Sequence, residues 1–343
     1  PLGISFYTFQ QIAYLVDSYK GTKKEKDLFS YGLFVSFFPQ LIAGPIVHHT
    51  EMMGQFRNPL LTKLNYDNLS RGLFVFMMGL AKKIVIADSF AQIANKGYAN
   101  VSTLGSGEAW ASSLAYSMQL YFDFSGYSAM AIGLGLLFNI RLPQNFNSPY
   151  KSLSIKEFWR NWHMTLSRFL RDYVYIPLGG NKKGNFRTSV NLMTTFLLGG
   201  VWHGAGWTFI FWGFLHGIAL VIHREWSKLG VALPKIPALL LTFMFVNITW
   251  VFFRADSWSS SLEMLYKMFS KVPGTEGFYL VSNYYDLPVW IAGVVLLFVP
   301  NAIEMGRRLK PTLTYLLLNV LLFLLNVIYL NSIVKNDFLY FDF

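Results

Sequence analysis

The sequence predicts an all-α, polytopic membrane protein with re-entrant and interfacial helices around a central cavity or tunnel. Three observations predict it. Of 343 residues, 53% are hydrophobic, 18% aromatic and only 14% charged, against about a quarter charged in soluble domains. Several windows approach or reach the roughly 20 apolar residues that a helix needs to cross a bilayer. Leu316 to Leu325 runs almost continuously apolar, where a barrel strand would alternate over about ten positions. Basic residues gather in short loops between apolar runs, as cytoplasmic loops do. The net charge of +11 therefore reads as topology and not as a nucleic-acid footprint, because no basic patch with exposed aromatics stands apart from a span.

There are no cysteines, so disulfides, thiolate metal sites and thiol nucleophiles are excluded. No internal repeat and no second soluble domain is visible, and residues 1–343 read as one domain. No signal peptide opens the chain; it starts at Pro1, directly in an amphipathic apolar segment, and reads as cut from something longer.

The first segment, Pro1 to Tyr19, carries Gln10, Gln11 and Asp17, which suits a helix buried among other helices. A basic loop, Lys20 to Lys26, favours the cytoplasm. Leu28 to Val47 follows, ended or kinked at Gly44-Pro45. His48 and His49 would point about 100° apart on a helix, so without a third ligand they make a poor metal site, and none is expected. Arg71 to Ala94 is apolar except for Lys82-Lys83, which either snorkel or mark an end. The loop Gly97 to Glu108 suits the outer face. Trp110 to Phe138 is long enough to span and contains Asp123, whose charge at the bilayer centre costs about 2.5 to 3.5 kcal/mol unless it meets water or a partner. A structural and a catalytic role for Asp123 are equally open.

Arg141 to Arg187 is the most basic part of the chain. Within it, Phe158, Trp162, Leu166, Phe169, Leu170 and Tyr173 fall at helical spacing, opposite a stripe of Lys156, Arg160, His163, Ser167 and Arg171. One continuous amphipathic helix is expected. Its polar face lies either on lipid phosphates or toward a wet funnel into the protein. Pro177 and Gly179-Gly180 end it. Pro237 to Phe253, Leu287 to Ile303 and Pro311 to Val334 are plainer spans. The loop with Ser259-Ser260-Ser261 and Pro273-Gly274 suits the outer face, and Arg307-Arg308-Leu309-Lys310 the inner.

The unusual stretch is Gly199 to Gly217, which sets His203 among small and aromatic residues: Gly199-Gly200-Val201-Trp202-His203-Gly204-Ala205-Gly206-Trp207. A titratable ring at membrane depth is costly unless it faces a cavity or a partner. The glycines let a ligand or another helix approach the backbone. With basic residues on both sides, Thr188 to Ile222 must enter and return or cross twice as short helices, with the Trp202-His203-Gly204 break near the bend. The competing role for His203 is a plain hydrogen-bonded bridge between helices. His216 and His223 share a face, and His223 reads as interfacial.

The chain resembles the membrane-bound O-acyltransferase family, and within it the bacterial branch of alginate O-acetyltransferase membrane subunits. The resemblance is carried by Pro1 to Gln10, Phe38-Pro39-Gln40-Leu41-Ile42-Ala43-Gly44-Pro45, Tyr121-Phe122-Asp123-Phe124-Ser125-Gly126-Tyr127-Ser128 and Glu157-Phe158-Trp159-Arg160-Asn161-Trp162-His163. It continues through Arg171 to Gly180, Trp202-His203-Gly204 and the tail Phe338 to Phe343. Ala129 stands where the branch usually has aspartate, and Asn161 where it usually has arginine. The family also has helices before the first residue of this chain.

The resemblance implies that His203 is catalytic and His163 a second functional position. It implies acetyl-coenzyme A as donor, no tightly bound cofactor, and a hydroxyl acceptor on the outer side, on an exopolysaccharide such as alginate or on an extracytoplasmic partner protein. It places the protein in the bacterial cytoplasmic membrane. Arg160 and Arg171, with Lys182-Lys183, are candidates for the coenzyme's phosphates, and Asp123 and Trp202 for substrate binding. Other cargoes stay open: D-alanyl transfer to teichoic acid, or acetyl transfer to peptidoglycan or cellulose. A multi-pass transporter with Asp123 and the histidines as a proton relay is the alternative from another class.

Overall fold

Every regular element among the described residues is helical. The structure is a computed structural model that describes residues 3–21, 27–42, 44–271, 286–310, 312–332 and 338–339. Residues 22–26 of the expected basic loop, Pro1-Leu2, Ala43, Pro273-Gly274, Pro311, Val334 and the tail from Tyr340 lie outside the described residues.

In chain order the helices are α1 (Ile4–Tyr19), α2 (Leu28–Ser36), α3 (Phe38–Leu41), α4 (His49–Phe56), α5 (Tyr66–Ala81), α6 (Asp88–Ala99), α7 (Ser106–Leu137), α8 (Ile155–Asn161), α9 (Met164–Leu170), α10 (Gly184–His203), α11 (Trp207–Lys228), α12 (Lys235–Arg254), α13 (Trp258–Phe269), α14 (Asp286–Phe298), α15 (Ala302–Arg308) and α16 (Leu313–Ser332). The apolar run from Leu28 breaks earlier than expected. Pro39 has no N–H and its ring clashes with the carbonyl four residues back, so α2 stops at Ser36 and Phe37 is extended.

Among the described residues, three helices are long and apolar enough to cross a membrane: Ser106–Leu137, Lys235–Arg254 and Leu313–Asn331. A bent pair, Leu287–Phe298 and Ala302–Arg308, turns by 61° at Pro300. The chain is a multi-pass membrane protein. Helix α7 is its axis, with a most apolar window 72% buried against 6% for the last span. Helix α5 lies on α7 so closely that glycines are required: a Cβ on Gly79 would meet the Gly126 carbonyl oxygen at 2.6 Å, and one on Gly133 would meet the Gly72 carbonyl oxygen at 2.7 Å. Such small-residue seams let membrane helices gain backbone-level van der Waals contact.

Lys82 and Lys83 neither snorkel nor end the segment. They open a π-helical stretch, Lys82–Ala87, that joins α5 to α6, and both are drawn into the protein. Lys83 Nζ sits 2.6 Å from Asp88 and 2.9 Å from Asp123. Lys82 lies with its Nζ 6.0 Å from the centre of the Tyr121 ring. A π-bulge adds one residue to the turn and so re-aims the side chains that follow; here it delivers a cation to the Asp123 carboxylate. Lys83→Met removes the cation that two buried carboxylates share, and breaking such a pair costs about 3–5 kcal/mol. The variant should melt well below the wild type in detergent. An unchanged midpoint would show that the pair contributes nothing.

The region from Thr188 to Ile222 is a hairpin of two full helices, longer than the short pair expected. Helix α10 has 20 residues and α11 has 22, each about 30 Å long at 1.5 Å per residue. They run antiparallel: a Cβ on Gly200 would stand 2.5 Å from the Phe209 carbonyl oxygen and 3.4 Å from Gly213 Cα, while one on Gly217 would touch Met193. By contrast, a Cβ on Gly199 meets only Leu170 Cδ1, at 3.6 Å. Gly200→Ala should therefore wedge the hairpin apart at a cost of about 1–3 kcal/mol, and Gly199→Ala should be neutral or slightly stabilising. Thermal unfolding of the two variants side by side checks this; equal midpoints would contradict it.

Candidate active site

His203 is the last residue of α10, at the tip of the hairpin, and the bend that follows is Gly204 to Gly206. The ring is 6% exposed. It is boxed by aromatics: Trp202 at 4.5 Å between ring centres, Phe253 of α12 at 4.9 Å, and Trp212 of α11 at 5.2 Å with its plane nearly perpendicular. Around the box the backbone opens outward. Ala205, Gly206 and Trp207 are exposed, and Trp202 and Gly204 are half-buried. Gly204 is needed for a close approach, because a Cβ there would lie 2.6 Å from two carbons of the Phe209 ring.

His163 reaches the same neighbourhood by a different route, and here the structure corrects the expected continuous amphipathic helix. The apolar face is buried as expected, with Phe158, Trp162, Leu166 and Phe169 all 4% exposed or less. The helix nevertheless breaks after Asn161. Trp162 is extended, and His163 adopts the left-handed conformation with φ 42° and ψ 53° before α9 restarts. The physical reason is burial on both sides of the break: Trp162 enters the core and the turn at His163 swings its ring inward as well, to 1% exposure. His163 thus leaves the polar stripe. Arg160 and Arg171 remain on it, exposed.

Phe6 of α1 joins the two histidines, lying 5.9 Å from the His163 ring and 6.1 Å from Trp202. Phe124 of α7 closes the far side of His163, edge-on at 4.7 Å. Five separate segments, α1, α7, the α8–α9 break, the hairpin tip and α12, therefore converge on one pair of buried rings.

Of the other expected site residues, Trp202 belongs to this cluster and packs on Phe9 at 4.9 Å. Asp123 follows α7 away from it: its carboxylate is held by Lys83 and accepts the Leu339 backbone N–H at 3.0 Å. Arg171 spends its fork on Asp172, at 2.7 and 3.1 Å, and lies outside the cluster. His216 is fully buried and structural in its bonding. The Trp159 indole N–H donates to Nδ1 at 3.1 Å, so Nε2 carries the proton and donates to Thr249 Oγ1 at 2.9 Å. That is a helix-bridging role of the kind considered for His203.

His48 and His49 diverge. His49 packs on Tyr14 and Phe34, while His48 stacks on Tyr173, whose hydroxyl donates to Asp17 at 2.9 Å. Burial and the Arg168 guanidinium hold the His48 imidazole below its usual range, so its 3.9 Å approach to Asp17 joins a neutral ring to a carboxylate at pH 7. Among the described residues no group of three or more histidine or acidic side chains is arranged to hold a metal ion.

Sequence reasoning missed Asn145 and Thr165, which hold the His163 turn. Neither is periodic or charged, so only the fold could reveal them.

The class of protein is a helical membrane body that carries two buried histidine rings on one aromatic cluster. The chain belongs to the membrane-bound O-acyltransferase family, whose sequence profile matches residues 27–254, in the branch of the alginate O-acetylases. It is similar to the peptidoglycan O-acetyltransferase of Helicobacter pylori, 54% identical over 294 residues that cover 77% of this chain and 56% of that protein. It is similar to the probable alginate O-acetylase AlgI of Azotobacter vinelandii, 48% identical over 273 residues, 79% of this chain and 54% of that protein. At greater distance it is similar to the teichoic acid D-alanyltransferase of Streptococcus thermophilus, 32% identical over 248 residues, 66% of this chain and 57% of that protein. The chain spans about half the length of the curated relatives it matches.

Proposed function

We propose that this chain carries the transfer site of a bacterial polysaccharide O-acetyltransferase of the cytoplasmic membrane, with His203 as general base and His163 beside it. The observation that carries the reading is one aromatic cluster shared by two buried imidazoles: His203 at the tip of a glycine-seamed hairpin, walled by Trp202, Trp212 and Phe253, and His163, bridged to Trp202 by Phe6.

The chemistry follows from that arrangement. As the acceptor hydroxyl oxygen attacks the thioester carbonyl, its proton passes to the neutral imidazole of His203. The tetrahedral intermediate then collapses, the carbon–sulfur bond breaks, and the proton returns to the departing thiolate. General-base assistance of this kind is worth about 10² to 10⁴ in rate. Buried rings locked by aromatic packing lose little entropy on reaching the attack geometry.

In this reading acetyl-coenzyme A is the donor and reaches His203 from the cytoplasmic side. The basic stretch with Arg160, Lys182 and Lys183, all exposed, suits the coenzyme's phosphates better than Arg171, which is already paired. The acceptor arrives from the opposite side, as a polysaccharide hydroxyl or one on an extracytoplasmic partner protein. Relatives named for peptidoglycan and for alginate O-acetylation support polysaccharide as the acceptor class.

Radiolabelled acetyl-coenzyme A, supplied to the protein in lipid nanodiscs with alginate or peptidoglycan fragments, tests the reading. Label on a glycan or on a co-purifying partner protein supports it. Transfer of D-alanine from its carrier thioester, without acetyl transfer, would replace the cargo. In sealed vesicles, passage of solute with no acyl transfer at all would favour a transporter.

A further inference from the structure

We propose that Asn145 is a positioning residue for transfer: its side-chain oxygen fixes the proton of His163 on Nδ1 and so makes Nε2 the basic nitrogen that faces the reaction. This rests on the reading of His163 as part of the transfer site.

The segment carrying Asn145 brackets the α8–α9 break on both sides: the Met164 N–H donates to the Asn145 carbonyl at 2.9 Å, and the Asn147 N–H donates to the Asn161 carbonyl at 2.9 Å. The bracket holds Trp162 and His163 in their non-helical conformations. It also places the Asn145 side chain over the first turn of α9, where N–H groups have no partner within the helix. Asn145 supplies a cap from a distant part of the chain. Its Oδ1 accepts the Thr165 N–H at 3.2 Å and the Thr165 hydroxyl at 3.0 Å.

Those two bonds decide which end of the amide is which. The Thr165 N–H can only donate, so the atom it meets must be the oxygen; a flipped amide would set NH₂ against N–H. The Thr165 hydroxyl is oriented in turn because its oxygen accepts the Ile46 N–H at 3.0 Å, leaving its hydrogen for Asn145. The Asn145 amide NH₂ points the other way, to Ser128 Oγ at 3.4 Å. The amide is thus pinned at both ends inside the protein, with Asn145 at 0%, Ser128 at 3% and Thr165 at 3% exposure.

The same Oδ1 lies 3.1 Å from His163 Nδ1. An amide oxygen has only lone pairs to offer, so Nδ1 must bring the hydrogen. In a neutral imidazole one nitrogen donates and the other accepts, and the bond made by one sets the role of the other. A proton on Nδ1 leaves Nε2 as the base. Histidines that act on a substrate characteristically have their second nitrogen held in this way by an acceptor. Here the acceptor is a neutral amide, which fixes the tautomer without drawing the ring into an ion pair.

The test is nitrogen NMR of the protein in nanodiscs with ¹⁵N-labelled histidine rings, the His163 signals being identified by their loss in His163→Asn. The expected wild-type spectrum has a protonated Nδ1 and an unprotonated Nε2. Asn145→Asp, which retains an acceptor oxygen, keeps Nδ1 protonated. Asn145→Leu moves the proton to Nε2 and lowers kcat about tenfold or more, with KM for the donor within about twofold.

A wild-type ring protonated on Nε2 alone would overturn the proposal, as would Asn145→Leu with the proton still on Nδ1 and full turnover. If Asn145→Leu does not fold, the wild-type and Asn145→Asp spectra decide alone. The underlying reading fails separately: a fully active His163→Asn removes His163 from transfer whatever its tautomer.

Discussion

His203→Ala is expected to abolish acyl transfer, with turnover lowered by at least the roughly 10² to 10⁴ that a general base supplies. Expression and membrane insertion should persist, because the hairpin is held by its glycine seam and not by the ring at its tip. Alanine leaves a void among Trp202, Trp212 and Phe253, so some loss could come from collapse of the box. His203→Gln separates the two effects. Glutamine fills much of the space and can hydrogen-bond, but it cannot accept a proton near neutral pH. An equal loss in both variants, with donor binding preserved, assigns the effect to chemistry; full activity in either returns His203 to a structural role.

His163 carries the second large effect, and its backbone shapes the experiment. At φ 42° it occupies the left-handed region, which costs an ordinary residue roughly 1–2 kcal/mol and which asparagine tolerates. His163→Ala therefore mixes strain with the loss of the ring. His163→Asn keeps the turn and removes only the imidazole. The expected result is a melting temperature near the wild type and a rate about 10² lower. Unchanged turnover would make His163 a turn residue and nothing more.

Both histidines were legible in the sequence, for different reasons. His203 stands out because a polar ring interrupts an apolar run, and interruption is a local signal. Helices α7, α12 and α16 are legible because continuous apolarity needs no partner to be recognised. The break at His163 was not legible. Phe158, Trp162, Leu166 and Phe169 keep helical spacing straight across it, and spacing carries no information about φ. All four are buried as that spacing requires, so the pattern gave the right face on the wrong backbone.

Charges behaved similarly. The sequence shows Lys83 and Asp123 as two separate costs at depth, and only the packing of α5, α6 and α7 shows that they cancel. Asn145 lies at the extreme of this scale. Its importance comes from bonds to residues 128, 163, 164 and 165, supplied by two other parts of the chain, and nothing in its own neighbourhood marks it.

Transfer at His203, a ring only 6% exposed, requires a water-filled route to it that substrate can use. The chain has no cysteine, so His203→Cys introduces the only thiol in it. The measurement is the labelling of that thiol in sealed vesicles by a small, membrane-impermeant thiosulfonate, with and without acetyl-coenzyme A. The account predicts labelling of the folded protein that the coenzyme slows. A thiol that stays unlabelled until the protein is denatured would show a ring sealed in aromatic packing, and would contradict it.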